Sequence, residues 1–153
     1  MIIDPNGHMC GCGNRGCFEQ YGSATALIRD AKYYMRENKN SVLWELCGGK
    51  VEMLDGQMIF EAAGNNDYTA MRTIEDYTTY LAIGISNLIN ILQPEIICLG
   101  GGISHADEKL LLVPIKDKIR SYIYDKEADL HIEKALLGND AGLIGAAMLC
   151  KMI

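Results

Sequence analysis

Three cysteines near the N-terminus carry the clearest chemistry in this sequence. Cys10, Cys12 and Cys17 fall within eight residues, in the run Cys-Gly-Cys-Gly-Asn-Arg-Gly-Cys-Phe-Glu. The intervening glycines allow the tight turns that bring three thiols to one point, because glycine has no Cβ to clash at positive φ. Three thiolates are the soft ligands of tetrahedral zinc sites, which need one further ligand. We therefore predict a metal-binding loop. The alternative is three unrelated buried cysteines, or a disulfide and a spare thiol.

A glycine-rich junction in the second half of the chain is the next candidate. The run Glu95-Ile-Ile-Cys-Leu99 predicts a short strand, and Gly100, Gly101 and Gly102 follow it before another helix. Backbone N–H groups at a strand–turn–helix junction suit a phosphate or a ribose. The segment lacks the Lys-Ser/Thr of a P-loop and the spacing of a dinucleotide fingerprint. The alternative is a tight turn with no ligand.

A second glycine-containing run, Gly138-Asn-Asp-Ala-Gly142, precedes the last predicted helix. Asp140 is placed as its N-cap, and that structural role explains the residue without any ligand.

Several helices must position these segments. Apolar periodicity and capping residues predict helices over about 19–36, 41–47, 55–63, 67–92 and 107–124, a strand over 131–136, and a final helix to the C-terminus. From Leu81 onward the long helix has almost no polar face, which predicts that this half is buried on all sides. Helices alternating with short apolar strands indicate an α/β architecture.

Composition narrows the functional classes. The chain has 153 residues, 49% of them hydrophobic, and a formal net charge of −6. The acidic balance argues against nucleic-acid binding through this segment, and the apolar runs are too short to span a membrane. Half of the six cysteines lie in the glycine-rich cluster, while Cys47, Cys98 and Cys150 are isolated in apolar surroundings. This usage predicts a cytoplasmic protein in which the isolated cysteines are small core residues.

The number of strands is low for the number of helices. Two strands give a poor surface on which to bury at least five helices. The sequence also opens at Met1 within strand-like and turn-like residues. We therefore expect this chain to be the C-terminal part of a larger protein, whose first strands lie upstream.

Three motifs in this order resemble the ROK family of repressors, open reading frames and kinases. They are the run from Cys10 to Glu19, Leu99-Gly-Gly-Gly-Ile-Ser104, and Gly138-Asn-Asp-Ala-Gly-Leu-Ile-Gly-Ala-Ala147. The resemblance covers essentially the whole chain and is closest to glucokinase-like members. It implies the C-terminal lobe of an actin-like ATPase (ribonuclease H-like) fold, incomplete at its N-terminus. Residues 1–153 would form this lobe, with the cysteine loop and a sugar contact in 1–19 and the nucleotide side in 95–153.

The resemblance also assigns metal ligands. Cys10, Cys12 and Cys17 match three thiolate ligands of the family's structural zinc. The family's fourth ligand is a histidine in a Gly-His-Met motif, which falls one residue before Met1. His8 is a candidate substitute, although the family does not use that position for zinc. Because the family's histidine is missing from this sequence, we expect zinc to bind this chain weakly, with partial or no occupancy.

The resemblance also implies residues that contact the sugar and the nucleotide. Glu19 matches a glutamate that hydrogen-bonds sugar hydroxyls in ROK kinases; its alternative role is to open a helix and complement its dipole. Gly100, Gly101 and Gly102 match glycines beside ATP. The family's catalytic aspartate and first phosphate loop belong to its N-terminal portion, and Mg²⁺ accompanies ATP there, so we expect this chain to be inactive by itself.

The resemblance leaves two functions open. One is the C-terminal part of an ATP-dependent hexose kinase, which we favour; the other is the sugar-sensing domain of a ROK transcriptional repressor. A zinc-stabilised interaction fragment without activity is a third description of this chain. The resemblance further predicts a homodimer.

Overall fold

The structure is a computed structural model that describes residues 1–149, without the side chains of Ser104, His105 and Asn139. Residues 1–17 form a turn-rich loop in which Ile2 pairs with Cys17, and Met9 with Arg15, through antiparallel bridges. Helices and strands follow in the order α1 (Glu19–Gly22), α2 (Ala24–Glu37), α3 (Leu43–Leu46), α4 (Gly56–Gly64), α5 (Tyr68–Leu92), β1 (Ile96–Leu99), α6 (Leu112–Tyr122), β2 (His131–Lys134) and α7 (Ala141–Leu149). Short 3₁₀ turns lie at Val51–Met53, Gly102–His105 and Gly138–Asp140.

The long helix α5 is the centre of the fold. It contacts α1, α2, α4 and α6. Its N-terminus is set by Asp67, whose carboxylate accepts a hydrogen bond from the Ala70 N–H. Fully buried side chains of the surrounding helices form one core with it, among them Leu27, Met35, Ile59, Ile115 and Ile119. The helix therefore connects the part of the chain that bears the cysteine loop to the part that bears the glycine-rich turn.

Two predicted helices differ from the structure at their N-terminal ends. The helix expected over 19–36 is divided at Ser23, whose backbone is extended and whose Oγ caps α2 by accepting from Ala26 N–H. The helix expected from Asp107 begins at Leu112 instead. Asp107 starts a turn by accepting a hydrogen bond from Lys109 N–H. Pro114 then lies in the first turn of α6, where its missing N–H breaks no helical hydrogen bond.

The sheet in the described part of the chain has two parallel strands. Ile96 pairs with His131, and Leu99 with Lys134. Ile97 and Leu99 face the core, whereas Ile96 and Cys98 are exposed. Cys98 is therefore not the core residue that the sequence suggested; its alternation along the strand points it away from the helices. Cys47 is buried as predicted, and Cys150 lies outside the described residues.

The C-terminal end of α5 is more exposed than its composition predicted. Leu88, Ile91 and Leu92 lie on the surface, and Ile91 is 76% exposed. The prediction of burial on all sides is wrong for these residues, because the helices of residues 1–149 leave one side of this end of α5 uncovered. Helix α7 is similar, since none of its nine residues is buried. No helix among the described residues is long and apolar enough to cross a membrane.

Candidate functional site

The cysteine loop brings its three sulfurs together. The Sγ atoms of Cys10, Cys12 and Cys17 all lie within 4.8 Å of one another, and those of Cys12 and Cys17 are 3.5 Å apart. Four ligands at the Zn–S distance of about 2.3 Å stand about 3.8 Å from each other in a tetrahedron. The three sulfurs thus converge as the sequence predicted, and their spacing is compatible with one face of a tetrahedral metal site.

Backbone turns produce this arrangement. The N–H of Cys10 donates to the carbonyl of Asn14 at 2.8 Å, and the N–H of Gly13 donates to the carbonyl of Cys10 at 3.0 Å. Gly16 has φ +68°, and a Cβ built on it would stand 1.5 Å from the carbonyl oxygen of Asp4. Because a side chain cannot occupy that space, glycine is required at position 16 for the loop to close on residues 1–4.

The thiols differ in their affinity for protons. A hydrogen bond from the backbone N–H of Asn14, together with the Cys17 thiol, lowers the pKa of Cys12 to about 7. The pKa of Cys17 is raised to about 11, chiefly because its thiol is hydrogen-bonded to Cys12. The lower pKa of Cys12 makes it the first of this pair to ionise. A bound divalent cation would favour the thiolate form of all three cysteines.

Glu19 lies beside the cluster. It is the exposed first residue of α1, and its Oε2 lies 3.8 Å from the Sγ of Cys10. An exposed carboxylate at this place can accept hydrogen bonds from two hydroxyl groups of a ligand. The same position also complements the dipole of α1, so the geometry agrees with both roles considered from the sequence.

Two hydrogen bonds of one tyrosine connect the loop to α1, and the sequence analysis did not predict them. The hydroxyl of Tyr21 donates to the Asp4 carboxylate at 3.0 Å and accepts the backbone N–H of His8 at 3.2 Å. These partners are separated by 13 and 17 residues, and no local pattern predicts such pairs. The ring of His8 packs against the ring of Tyr21 instead of joining the sulfurs; among described residues, the metal-ligand group contains only the three cysteines.

The glycine-rich turn forms at the predicted place, directly after β1. Gly101 has φ +83°, which favours glycine, and Gly102 opens a 3₁₀ turn. A Cβ on Gly100 would stand 3.5 Å from the Cβ of Ala135, so this backbone passes close to the end of β2. The 3₁₀ turn contacts the one at Gly138–Asp140, which brings the two glycine-rich segments together. Asp140 ends that second turn, immediately before α7.

Comparison with known proteins places these features in a family. The ROK family profile matches residues 1–153. A glucokinase of Thermotoga maritima is 35% identical over 152 residues, which are 99% of this chain and 47% of that protein. A xylose repressor of Bacillus spizizenii is 29% identical over 150 residues, which are 97% of this chain and 35% of that protein.

A solved structure agrees with the sequence relatives. The crystal structure of a ROK family glucokinase from Streptomyces griseus, in complex with glucose and AMPPNP, superposes with a TM-score of 0.88. It is 33% identical, and the match covers 97% of this chain and 49% of that one. The fold is thus that of ROK glucokinases, the actin-like ATPase fold, and the chain spans about half the length of these glucokinases. The chain belongs to the ROK family.

Proposed function

We propose that this chain is the C-terminal half of an ATP-dependent sugar kinase that transfers a phosphoryl group from ATP to a hexose hydroxyl. The likeness to a glucokinase solved with glucose and AMPPNP, which extends over 97% of this chain, carries the proposal. Both the cysteine loop with Glu19 and the glycine-rich turn lie within residues 1–153, which the ROK family profile matches. We propose that the whole protein is cytoplasmic. It would bind ATP together with Mg²⁺.

Each site residue has a role in this proposal. Cys10, Cys12 and Cys17 would hold a structural Zn²⁺, and their convergence within 4.8 Å supports this role. Zinc would supply a rigid point that fixes the loop, with no part in phosphoryl transfer. Glu19 would accept hydrogen bonds from sugar hydroxyls. The backbone of Gly100, Gly101 and Gly102 would lie close to ATP, because glycine has no side chain to keep the nucleotide away.

A sugar-responsive repressor is the second candidate. It is favoured by one observation, the 29% identity to a xylose repressor over 97% of this chain. The cysteine loop and Glu19 would serve sugar sensing equally well, whereas the glycine-rich turn would have no nucleotide to bind. A helix-turn-helix in the residues preceding this segment would identify the repressor, and a phosphate-binding loop would identify the kinase.

The experiment that tests the kinase is a coupled assay of ADP formation with glucose. The 153-residue chain should show no turnover, because the family's catalytic aspartate belongs to the N-terminal portion. The same chain, extended upstream from its own reading frame, should reach the usual enzymatic range of about 1–10³ s⁻¹. Turnover by the short chain, or sugar binding without turnover by the long one, would contradict the proposal.

A matched pair of substitutions tests the sugar contact in the extended protein. Glu19→Gln should raise the KM for glucose and lower kcat/KM at least tenfold, because it removes a charged acceptor for hydroxyl groups. Glu127→Gln, which changes a glutamate on an exposed turn after α6, should leave both constants unchanged. Equal effects of the two substitutions would remove Glu19 from the sugar site.

We also propose that the protein forms a homodimer. Several large apolar side chains are exposed, including Leu92, Ile96 and Leu143. Surface of this kind favours association. Sedimentation velocity at micromolar concentration should show a dimer; a clean monomer that binds no hydrophobic dye would contradict this.

A further inference from the structure

Phe18 lies between a proposed metal ligand and the residue proposed to bind the sugar. Cys17 precedes it and Glu19 follows it. Its ring is partly buried against the core. Because Phe18 shares a peptide bond with each neighbour, a shift of the Phe18 backbone moves both Cys17 and Glu19.

Two glycines form a slot for this ring. A Cβ built on Gly84, in the middle of α5, would stand 2.2 Å from Cε2 and 2.4 Å from Cζ of Phe18. A Cβ built on Gly22, the last residue of α1, would stand 2.9 Å from Cε2. These distances are below any normal carbon–carbon contact, so the ring fits only because both positions lack a side chain.

The walls of the slot are connected to each other. Tyr77 lies in α5, two turns before Gly84. Its hydroxyl donates to the carbonyl of Gly22 at 3.0 Å. Tyr77 is itself buried within the core. The N–H of Gly22 donates to the carbonyl of Phe18 at 2.8 Å, which closes α1 around the ring. Helix α5 thus contacts Phe18 directly through Gly84 and indirectly through Tyr77 and Gly22.

The residues beside Phe18 are also tied into the loop. The N–H of Phe18 donates to the carbonyl of Met1 at 2.9 Å, and the N–H of Gln20 donates to the carbonyl of Cys17 at 2.8 Å. These bonds join the backbone around Phe18 to the loop and to α1, so a backbone shift at Phe18 that relieves a clash in the slot is passed to Cys17 and Glu19.

Glycine at position 84 is otherwise unfavourable. In the interior of a helix, glycine is less favourable than alanine because its backbone loses more conformational freedom on folding. Gly84 is buried in the interior of a 25-residue helix, where the close approach of the Phe18 ring gives a reason for its presence.

We propose that Gly84 is a positioning residue which, through Phe18, sets both the third cysteine of the metal centre and the sugar-side glutamate. The proposal rests on the proposed function for the roles of Cys17 and Glu19, and on geometry alone for their joint placement. It makes α5 part of the site, although the helix contributes no ligand to it.

The test uses Co²⁺ as a spectroscopic probe, because thiolate–cobalt charge-transfer and d–d bands report ligand number and geometry. Gly84→Ala should weaken Co²⁺ binding at least tenfold and reduce the tetrahedral d–d bands. Gly64→Ala is the matched control, since this helical glycine has nothing within 4 Å of its Cβ position. It should change the Co²⁺ affinity less than twofold. Urea denaturation of each variant gives the folded fraction.

Rescue separates positioning from general destabilisation. Phe18→Leu added to Gly84→Ala makes room for the new methyl group, and the double variant should bind Co²⁺ within about threefold of Phe18→Leu alone. A Gly84→Ala protein that is less stable but keeps its Co²⁺ affinity and spectrum when folded would overturn the proposal. If Gly84→Ala does not fold, Phe18→Leu compared with Phe60→Leu replaces it. Equal Co²⁺ affinity in that pair would also overturn the proposal.

A second measurement keeps this test distinct from that of the proposed function. Should the unsubstituted chain bind neither Co²⁺ nor Zn²⁺, the proposed metal role fails, and amide NMR spectra of the metal-free proteins still decide the inference. Gly84→Ala should shift the amide signals of both Cys17 and Glu19, whereas Gly64→Ala should leave both signals in place. Unshifted signals for these two residues would overturn it.

Discussion

The carboxylate of Glu19 and the thiol of Cys10 lie 3.8 Å apart, although the two residues are nine positions apart in the sequence. The contact exists because the loop turns back on itself before α1 begins. It places the proposed sugar acceptor next to the proposed metal ligand. A metal that fixes Cys10 would therefore also limit the movement of Glu19, so we expect loss of metal to weaken sugar binding.

Removal of the buried thiol should release the metal. We expect Cys10→Ser to lower zinc retention at least tenfold, because a complete structural site has an apparent binding free energy of about 10–16 kcal/mol that its ligands share. Zinc content after dialysis against a chelator measures the effect. Cys98→Ser is the control, since Cys98 is exposed on β1. Equal loss from both variants would show that the metal lies elsewhere.

Two glycines of the loop should differ sharply in their tolerance of alanine. Gly16→Ala introduces a Cβ 1.5 Å from the carbonyl oxygen of Asp4 at a positive φ, and should destabilise the loop by about 1–3 kcal/mol. Gly11→Ala meets no atom within 4 Å and should be almost neutral. Amide hydrogen exchange of the loop, with zinc retention as a second readout, compares the two. Similar exchange rates would disprove the requirement for glycine at position 16.

Local signals in the sequence were sufficient for much of this fold. The sequence predicts helices that begin near positions 55 and 67, and in the structure Asp55 and Asp67 each accept a backbone N–H at a helix N-terminus. Cys10, Cys12 and Cys17 were predicted to converge, and they do so. Capping and tight turns depend on residues close in sequence, so they can be inferred from spacing and side-chain chemistry.

Features that depend on distant residues were not predictable in this way. The division of the first helix at Ser23 is accompanied by a hydrogen bond from Tyr77, 55 residues away, to the carbonyl of Gly22. The slot for Phe18 requires Gly84, which carries no signal of its own. The exposure of Ile91 also depends on which elements pack beside α5, and its apolar character alone suggested burial.

Two capping aspartates should differ in their contribution to stability. Asp67 is buried and accepts hydrogen bonds from Ala70 N–H, Val42 N–H and Ser41 Oγ at 2.9–3.0 Å. We expect Asp67→Ala to lower the free energy of unfolding by about 3 kcal/mol, because two further donors lose a charged partner. Asp55→Ala, at an exposed cap on α4, should cost about 1 kcal/mol. Urea denaturation measures both; equal losses would contradict this ranking.

The tyrosine that bridges α2 and α5 should make stability depend on alkaline pH. The hydroxyl of Tyr34 donates to the carboxylate of Asp76, and this hydrogen bond raises the pKa of Tyr34 to about 12. An unfolded tyrosine has a pKa of about 10. Between these values the folded protein holds a proton that the unfolded chain has lost, so the free energy of unfolding must fall as pH rises. The contribution of the Tyr34 proton to the free energy of unfolding is complete below pH 10 and is lost as pH rises through about 12.

Tyr34→Phe removes this titration, so the free energy of unfolding should fall less steeply with pH in this variant. Unfolding curves in urea at intervals between pH 9 and 12 measure it, with Tyr124→Phe as the control because that side chain is 94% exposed. The Tyr34→Phe protein should be less stable than the control at pH 9, and the difference should shrink as pH approaches 12. Other tyrosines, Tyr21 and Tyr80 among them, also have raised pKa values, so only the difference between the two variants is diagnostic. A difference that stays constant across this range would mean that the Tyr34 proton is held equally in both states.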